Sequence, residues 1–293
     1  MNKKKKNPRN VVISVRLDES SLMAVDLLVN SGLSQSRSEA ASQFISIGIQ
    51  SSENLLIRAK NLAENVKSLK DEMVDAVKAK NLDKVKQILN QDANLVNAKN
   101  IEGETAVLMS AYFHANEIKE LLLERGAELD IYEASAVGAT DRVKEILRHS
   151  PELLNSHNKD GYTLLGLSSY FGNEKTVEYL LKTGADVNLF GKDGKVSNTA
   201  LHAAIAANHE KIVKMLLDNG ANANAKCRGN IRSGFTPLHV AVYFNRMSMI
   251  KILLDHGADK EICNDNDQTP AYYARQIGND ELAEMIMHYK SMK

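Results

Sequence analysis

Tryptophan is absent from the 293 residues, aromatics make up only 5% of them, and proline occurs four times. So few large rings argue against one thick core and for several thin ones, although 43% hydrophobic content is ample for real cores. No apolar run approaches the roughly 18 residues that a membrane span needs. The start, MNKKKKNPRN, also lacks the apolar stretch of a secretory signal, so the expected location is cytoplasmic. Cysteine is confined to Cys227 and Cys263, with neither Cys nor His nearby at metal-ligand spacing. That predicts two reduced thiols and neither a disulfide nor a metal site. Net charge is lacking too, since 37 basic and 37 acidic side chains cancel. The balance conceals an asymmetry: residues 1–60 hold nine basic and five acidic side chains, six of the basic ones within the first 16 residues. The remainder is correspondingly acidic.

What is present is repetition. Thr105, Thr163, Thr199 and Thr236 each precede a glycine (Gly126, Gly184, Gly220, Gly257) by the same 21 residues, whereas successive threonines from Thr163 to Thr269 lie 36, 37 and 33 apart. A constant unit with variable connections reads as two helices joined by a fixed turn, every insertion falling in the loop between units. Thr236 caps a helix, Pro237 suits its first position, and Leu238, Ala241 and Val242 form an apolar face. Nine residues after each threonine stand His114, Gly172, Asn208, Asn245 and Gly278, mostly types that tolerate the positive φ needed between helices. A second helix, such as Lys211 to Asp218 with Ile212, Val213, Leu216 and Leu217 inward, then closes on the glycine.

FTPLHVAV at 235–242, ALHAAIAANHEKIVKMLLDNGANAN at 200–224 and LLDHGADKEI at 253–262 closely resemble ankyrin repeats. The resemblance implies a mainly α chain: an α-solenoid of about seven repeats with hairpin fingers over residues 69–290. Three units depart from the pattern. The first, near 69–99, lacks the threonine and is expected to cap the array. The third, Ile131 to Asn158, has no TPLH-like start and no finger, because ASAVGATDRVKEIL follows almost directly on AELDIYE. The last is expected to be the C-terminal cap.

Chemistry is sparse in this array. His202 and His239 fall three residues after a repeat threonine, where the family uses histidine for hydrogen bonding within the repeat. No nucleophile elbow, phosphate loop or HExxH occurs, so neither an enzyme nor a cofactor is expected. Recognition by another protein has two candidate surfaces. A Tyr-Phe pair recurs seven and eight residues after the threonine as Tyr112-Phe113, Tyr170-Phe171 and Tyr243-Phe244. These rings either line a binding groove or pack between repeats. Loops at Lys195–Asn198 and Gly229–Ser233 are the other candidate, with Arg228 and Arg232 making one tip basic.

Upstream, residues 11–17 (VVISVRL) alternate as a half-buried strand. Asp18 caps a helix carrying Leu22, Val25, Leu28 and Val29, which ends at Asn30-Ser31-Gly32. Ser36-Arg37-Ser38-Glu39 is a capping box that opens a second helix with Ala41, Phe44, Ile45 and Gly48 as its buried stripe. So small a strand-helix-helix unit needs a second copy to bury a core, and homodimerisation is expected. ISVRLDE at 13–19 and SRSEAA at 36–41 resemble the ribbon-helix-helix family over residues 10–50. That resemblance implies duplex DNA contact: Val12, Ser14 and Arg16 toward base edges, Ser36, Arg37 and Ser38 toward phosphate. A basic tail, residues 1–9, with Lys3, Lys4, Lys5, Lys6 and Arg9, either tracks phosphates or is a solvated end. Between the parts, at 51–68, Leu55, Leu62 and Leu69 alternate with Ala59, Val66 and Met73, the spacing of a short coiled coil or of one amphipathic helix lying on the first repeat. The combined expectation is a homodimeric DNA-binding regulator whose repeats hold a protein. The alternative is an interaction scaffold, or an antitoxin-like neutraliser, whose N-terminal part only dimerises.

Overall fold

A computed structural model describes residues 16–51 and 53–290. Among them are sixteen α-helices and no strand, the only β pairs being isolated bridges at Lys99–Thr105 and His157–Thr163. The chain divides into two compact units at Val66/Lys67.

In the first unit α1 spans Glu19–Asn30 and α2 Arg37–Ser51. Asp18 accepts the Ser21 N–H at 2.7 Å, and Gly32 at φ 74 turns the chain after α1. Ser36 Oγ accepts the Glu39 N–H at 3.2 Å, and the Glu39 carboxylate accepts the Gln35 N–H at 2.6 Å. Both local start signals therefore act as helix caps, since each satisfies an N–H that the helix cannot. The strand-helix-helix reading does not hold. Residues 11–15 of the expected strand lie outside the described residues, while Arg16 and Leu17 lead into α1 without strand pairing. A lone extended segment has no ladder to satisfy its backbone, and only a neighbour could supply one. The anticipated stripe of α2 is also exposed: Phe44 is 41% and Ile45 50% accessible. Among the described residues only Val25, Ser34 and Ala40 are buried in this unit, because one helix pair cannot cover both of its own faces.

From Lys67 onward the second unit stacks seven helix pairs. The first joins the C-terminal part of α3 (Glu53–Lys78) to α4 (Leu82–Gln91). Met73 is fully buried and Leu69 packs against the same core, whereas Leu62 is exposed, so these two side chains of the supposed coiled-coil seam are used within the first repeat. The next pairs are α5 (Ala106–Tyr112) with α6 (Asn116–Glu124), α7 (Ile131–Val137) with α8 (Thr140–His149), and α9 (Leu164–Tyr170) with α10 (Glu174–Lys182). Last come α11 (Ala200–Ala206) with α12 (Glu210–Asp218), α13 (Pro237–Tyr243) with α14 (Met247–Asp255), and α15 (Pro270–Gln276) with α16 (Asp280–His288). A single apolar cluster runs from Met73 to Ile286 along the stack.

In most of the pairs the first helix starts at a capping oxygen. Thr105, Thr163 and Thr236 accept N–H groups of the first turn, and Asp130 takes this role in the third pair. Between the helices the chain passes through positive φ at His114, Gly172, Asn208, Asn245 and Gly278. Neighbouring pairs are tied by polar side chains as well as by the core. Asn97, Asn155, Asn188 and Asn224 each accept an N–H from the following repeat, those of Glu128, Asp186, Asn222 and Asp259, at 2.7–2.9 Å. A second tie arises ten residues after the threonine. Asn173 donates to the Ser135 and Ala136 carbonyls, His209 to that of Tyr170, and Arg246 to that of Ala206. These carbonyls end a helix of the preceding repeat, where no intrahelical donor remains.

Candidate functional site

Histidine supports the frame. His202 and His239 are 1% and 0% exposed. In each, Nε2 faces a carbonyl of the next repeat, Ala225 at 3.0 Å and Gln268 at 2.8 Å, so it must carry the ring hydrogen. Nδ1 is then left to accept, and it lies 3.3 Å from the Thr199 or Thr236 backbone nitrogen. Burial pushes both imidazoles down to about 4 despite those carbonyls. They are neutral fasteners between repeats, going beyond the bonding within one repeat that the resemblance implied.

The aromatic pairs separate by ring type. Tyr112, Tyr170 and Tyr243 are exposed, as is Phe113, while Phe171 and Phe244 pack partly against the core. Tyr112 meets Phe171 edge to face at 4.9 Å between ring centres, although a whole repeat separates them in the chain. Val137 and Gly138 occupy the corresponding places in the third repeat, and small groups there leave room for the rings on either side. At the other end Arg232, at φ 59, folds its guanidinium over both Tyr243 and Phe244, 5.0 and 5.1 Å from the ring centres. Arg228 stacks on Phe190 at 3.7 Å. The basic tip is therefore laid down on aromatic faces, where the ring quadrupole attracts the cation. Its loop is also tied to the preceding one: Gly229 N–H donates to the Val196 carbonyl at 3.0 Å and Ile231 N–H to that of Lys195 at 2.7 Å.

A groove of about 1120 Å³ opens along the finger-bearing face of repeats two to five. Tyr112, Tyr132, Tyr162 and Leu167 line it together with the finger segments at 99–104 and 158–162. Its cause is the third repeat, where Leu129 and Asp130 run straight into α7 with no finger. In place of a repeat histidine, Glu133 accepts the Asp130 N–H at 3.0 Å and the Thr105 hydroxyl at 2.6 Å, and it is 6% exposed. Although part of the Tyr112 ring is open to solvent, desolvation against the groove wall raises its hydroxyl to about 12 and shifts Tyr162 the same way, so both stay protonated at neutral pH.

Other expected site residues are placed differently. Lys3, Lys4, Lys5, Lys6, Arg9, Val12 and Ser14 lie outside the described residues. Arg16 is exposed. Ser36 caps α2, with Arg37 and Ser38 in its first turn, but the Arg37 guanidinium grips Asp26 at 2.5 and 2.7 Å and lowers that carboxylate. Among the described residues no group of three or more His, Cys, Asp or Glu side chains could hold a metal ion. Burial pushes the Cys227 thiol up to about 12, away from the reactive thiolate. No helix among them is long and apolar enough to cross a membrane.

The helix pairs match known sequence families. A family described as ankyrin repeats in three copies matches residues 131–227, and one described as ankyrin repeats in many copies matches 201–254 and 238–286. The chain is an ankyrin-repeat protein. Similar proteins include neurogenic locus notch homolog protein 1 of Danio rerio, 29% identical over 163 residues, covering 53% of this chain and 7% of that protein. Human SH3 and multiple ankyrin repeat domains protein 2 is 29% identical over 198 residues, covering 64% of this chain and 8% of that one. Mouse ankyrin repeat and SAM domain-containing protein 6 is 30% identical over 119 residues, with 41% and 11% covered. The chain thus spans a small fraction of its relatives' length. Ankyrin repeats imply a role in protein–protein interaction.

Proposed function

We propose that the ankyrin array is a scaffold that holds a protein partner in the groove of repeats two to five. The groove carries this reading: it has a volume of about 1120 Å³, and three tyrosines line it on a frame that Asn97 and Asn155 help to tie together. Tyrosine presents a large rigid face with a polar tip, the side chain type that dominates association energetics. The test uses the full-length chain as bait with chemical crosslinking. Tyr112→Ala with Tyr162→Ala is expected to weaken capture by well over tenfold, about 2 kcal/mol or more, while circular dichroism stays unchanged. Unaltered capture, with crosslinks outside residues 99–162, would refute it.

A second reading concerns the N-terminal unit. Leu22, Met23, Leu27, Phe44, Ile45, Ile47 and Ile49 are all exposed there. So many large apolar side chains in one small unit favour association, and we take the occupant to be a second copy. Light scattering should find a dimer that Phe44→Asp with Ile45→Asp converts to a monomer. A monomeric unsubstituted chain at 100 µM removes the idea. The expected duplex DNA contact has no strand to rest on among the described residues, and Arg37 is already paired.

A further inference from the structure

The sixth repeat carries cations without counter-charges. From Asn219 to Leu254 the chain holds Lys226, Arg228, Arg232, Arg246 and Lys251, and no Asp or Glu. The fingers on either side add Lys192 and Lys195 together with three carboxylates, Asp193, Asp265 and Asp267. Leaving out Lys251, on the second helix of the pair, six cations stand against three carboxylates. Two of the three are already engaged: Asp193 accepts the Val196 and Ser197 N–H groups, and Asp265 accepts the Ser233 hydroxyl. Positive charge is left over.

The three arginines are held by rings. Arg232 lies over Tyr243 and Phe244, Arg246 reaches to 6.0 Å from the Phe244 ring centre, and Arg228 stacks on Phe190. Among the described residues no carboxylate pairs with any of them. The Arg232 side chain makes no hydrogen bond, and that of Arg246 makes one, to the Ala206 carbonyl at 3.1 Å. In both, Nε is buried with no acceptor. A buried donor left unpaired is costly, whereas a side chain standing in solvent would have kept it satisfied by water.

Arg232 also holds its backbone at φ 59, an uncommon conformation for a long side chain. Its finger closes around that conformation: Cys227 N–H donates to the Phe235 carbonyl at 2.8 Å, Gly234 N–H to that of Cys227 at 3.0 Å, and Phe235 N–H to that of Arg232 at 3.1 Å. A closed finger, two rings and a forfeited hydrogen bond together keep one guanidinium in place. Its terminal N–H groups have no partner among the described residues. They form a planar fork of donors, which matches the oxygens of a carboxylate or a phosphoryl group.

We propose that Arg232, supported by the charges of Arg228 and Arg246, is the receptor for an oxyanion on a partner protein, carried by an acidic or a phosphorylated side chain. Asp265 and Asp267 beside the finger disfavour a long polyanion such as nucleic acid, so a single charged side chain is the fitting ligand. Tyr243, 48% exposed, offers the same partner an aromatic contact. None of the three arginines lines the groove of repeats two to five. The site is therefore a second contact on the array, beyond the scaffold reading above.

Three pools of random twelve-residue peptides, fixed at the centre as glutamate, phosphoserine or glutamine, are passed over the immobilised full-length chain to test it. Retention of the glutamate or the phosphoserine pool should exceed that of the glutamine pool by about threefold or more, and the larger excess names the source of the oxyanion. Arg232→Gln should abolish the excess. Arg232→Lys, which keeps the charge without the fork, should lose most of it and carries the test if the first variant misfolds. Because the Arg232 side chain makes no hydrogen bond, the glutamine variant should keep the urea midpoint of the unsubstituted chain. The excess should persist in Tyr112→Ala with Tyr162→Ala, so failure of the groove reading and failure of this one are read separately. Equal retention of the three pools overturns the proposal, as does displacement of the retained peptides by a short DNA duplex at lower concentration than by the same peptides in solution. An excess that survives Arg232→Gln while the urea midpoint falls makes Arg232 a fastener of its finger and overturns it too.

Discussion

Acid should loosen the ankyrin array through two residues, His202 and His239. Both are buried and held at about 4, whereas an imidazole in the unfolded chain titrates near its ordinary value of 6.5. Between those values the unfolded chain takes up protons that the folded chain refuses. Stability is therefore intact above about 6.5 and falls as pH drops toward 4. The folded state refuses chiefly because burial disfavours the charged ring, and Nδ1 besides already faces the N–H of Thr199 or Thr236. At pH 5.0 the loss amounts to about 2 kcal/mol per histidine, or about 4 for the pair. Urea unfolding followed by circular dichroism at pH 7.5 and 5.0 measures it. His202→Gln with His239→Gln should be less stable than the unsubstituted chain at pH 7.5, yet lose about 4 kcal/mol less on acidification. An equal pH dependence in the two proteins would refute the assignment, because the remaining histidines would then carry the effect.

Two further outcomes follow from the third repeat. Glu133→Ala strands the buried Thr105 hydroxyl and the Asp130 N–H, and should lower stability by about 2–3 kcal/mol in thermal or urea unfolding. Gly138 has φ 81, and a β-carbon there would lie 2.6 Å from Asn173 Oδ1. Gly138→Ala should therefore cost about 2–4 kcal/mol. Adding Asn173→Ala removes the clash, so the double variant should lose less than the two single losses combined.

Much of the array was legible because its signals are local. A threonine that caps, a residue at positive φ nine positions later and a glycine at the end act within a turn or two of the chain, and most of the paired helices begin or end by them. Asp18 and Ser36 cap their helices for the same reason. The strand and the buried stripe of α2 failed because each depended on something beyond its own segment: alternation needs a neighbouring ladder, and an apolar stripe needs a cover. Tyr170, Phe171 and Tyr112 were recognised as recurring, but not that small groups at Val137 and Gly138 let rings two repeats apart touch. Arg232 was expected at an open tip, and a cation beside two rings folds onto them. The residue ten positions after the threonines from Thr163 onward was overlooked, although Asn173, His209, Arg246 and Asn279 are all polar and could have drawn notice.

By itself the sequence determined the unit: two helices, their starts and stops, and the single repeat without a finger. Only the tertiary structure decided what that omission does, because the bonds that join fingers link residues about 31 or more positions apart. A missing hairpin reads along the chain as a short loop. In three dimensions it opens a groove between the finger segments at 99–104 and 158–162.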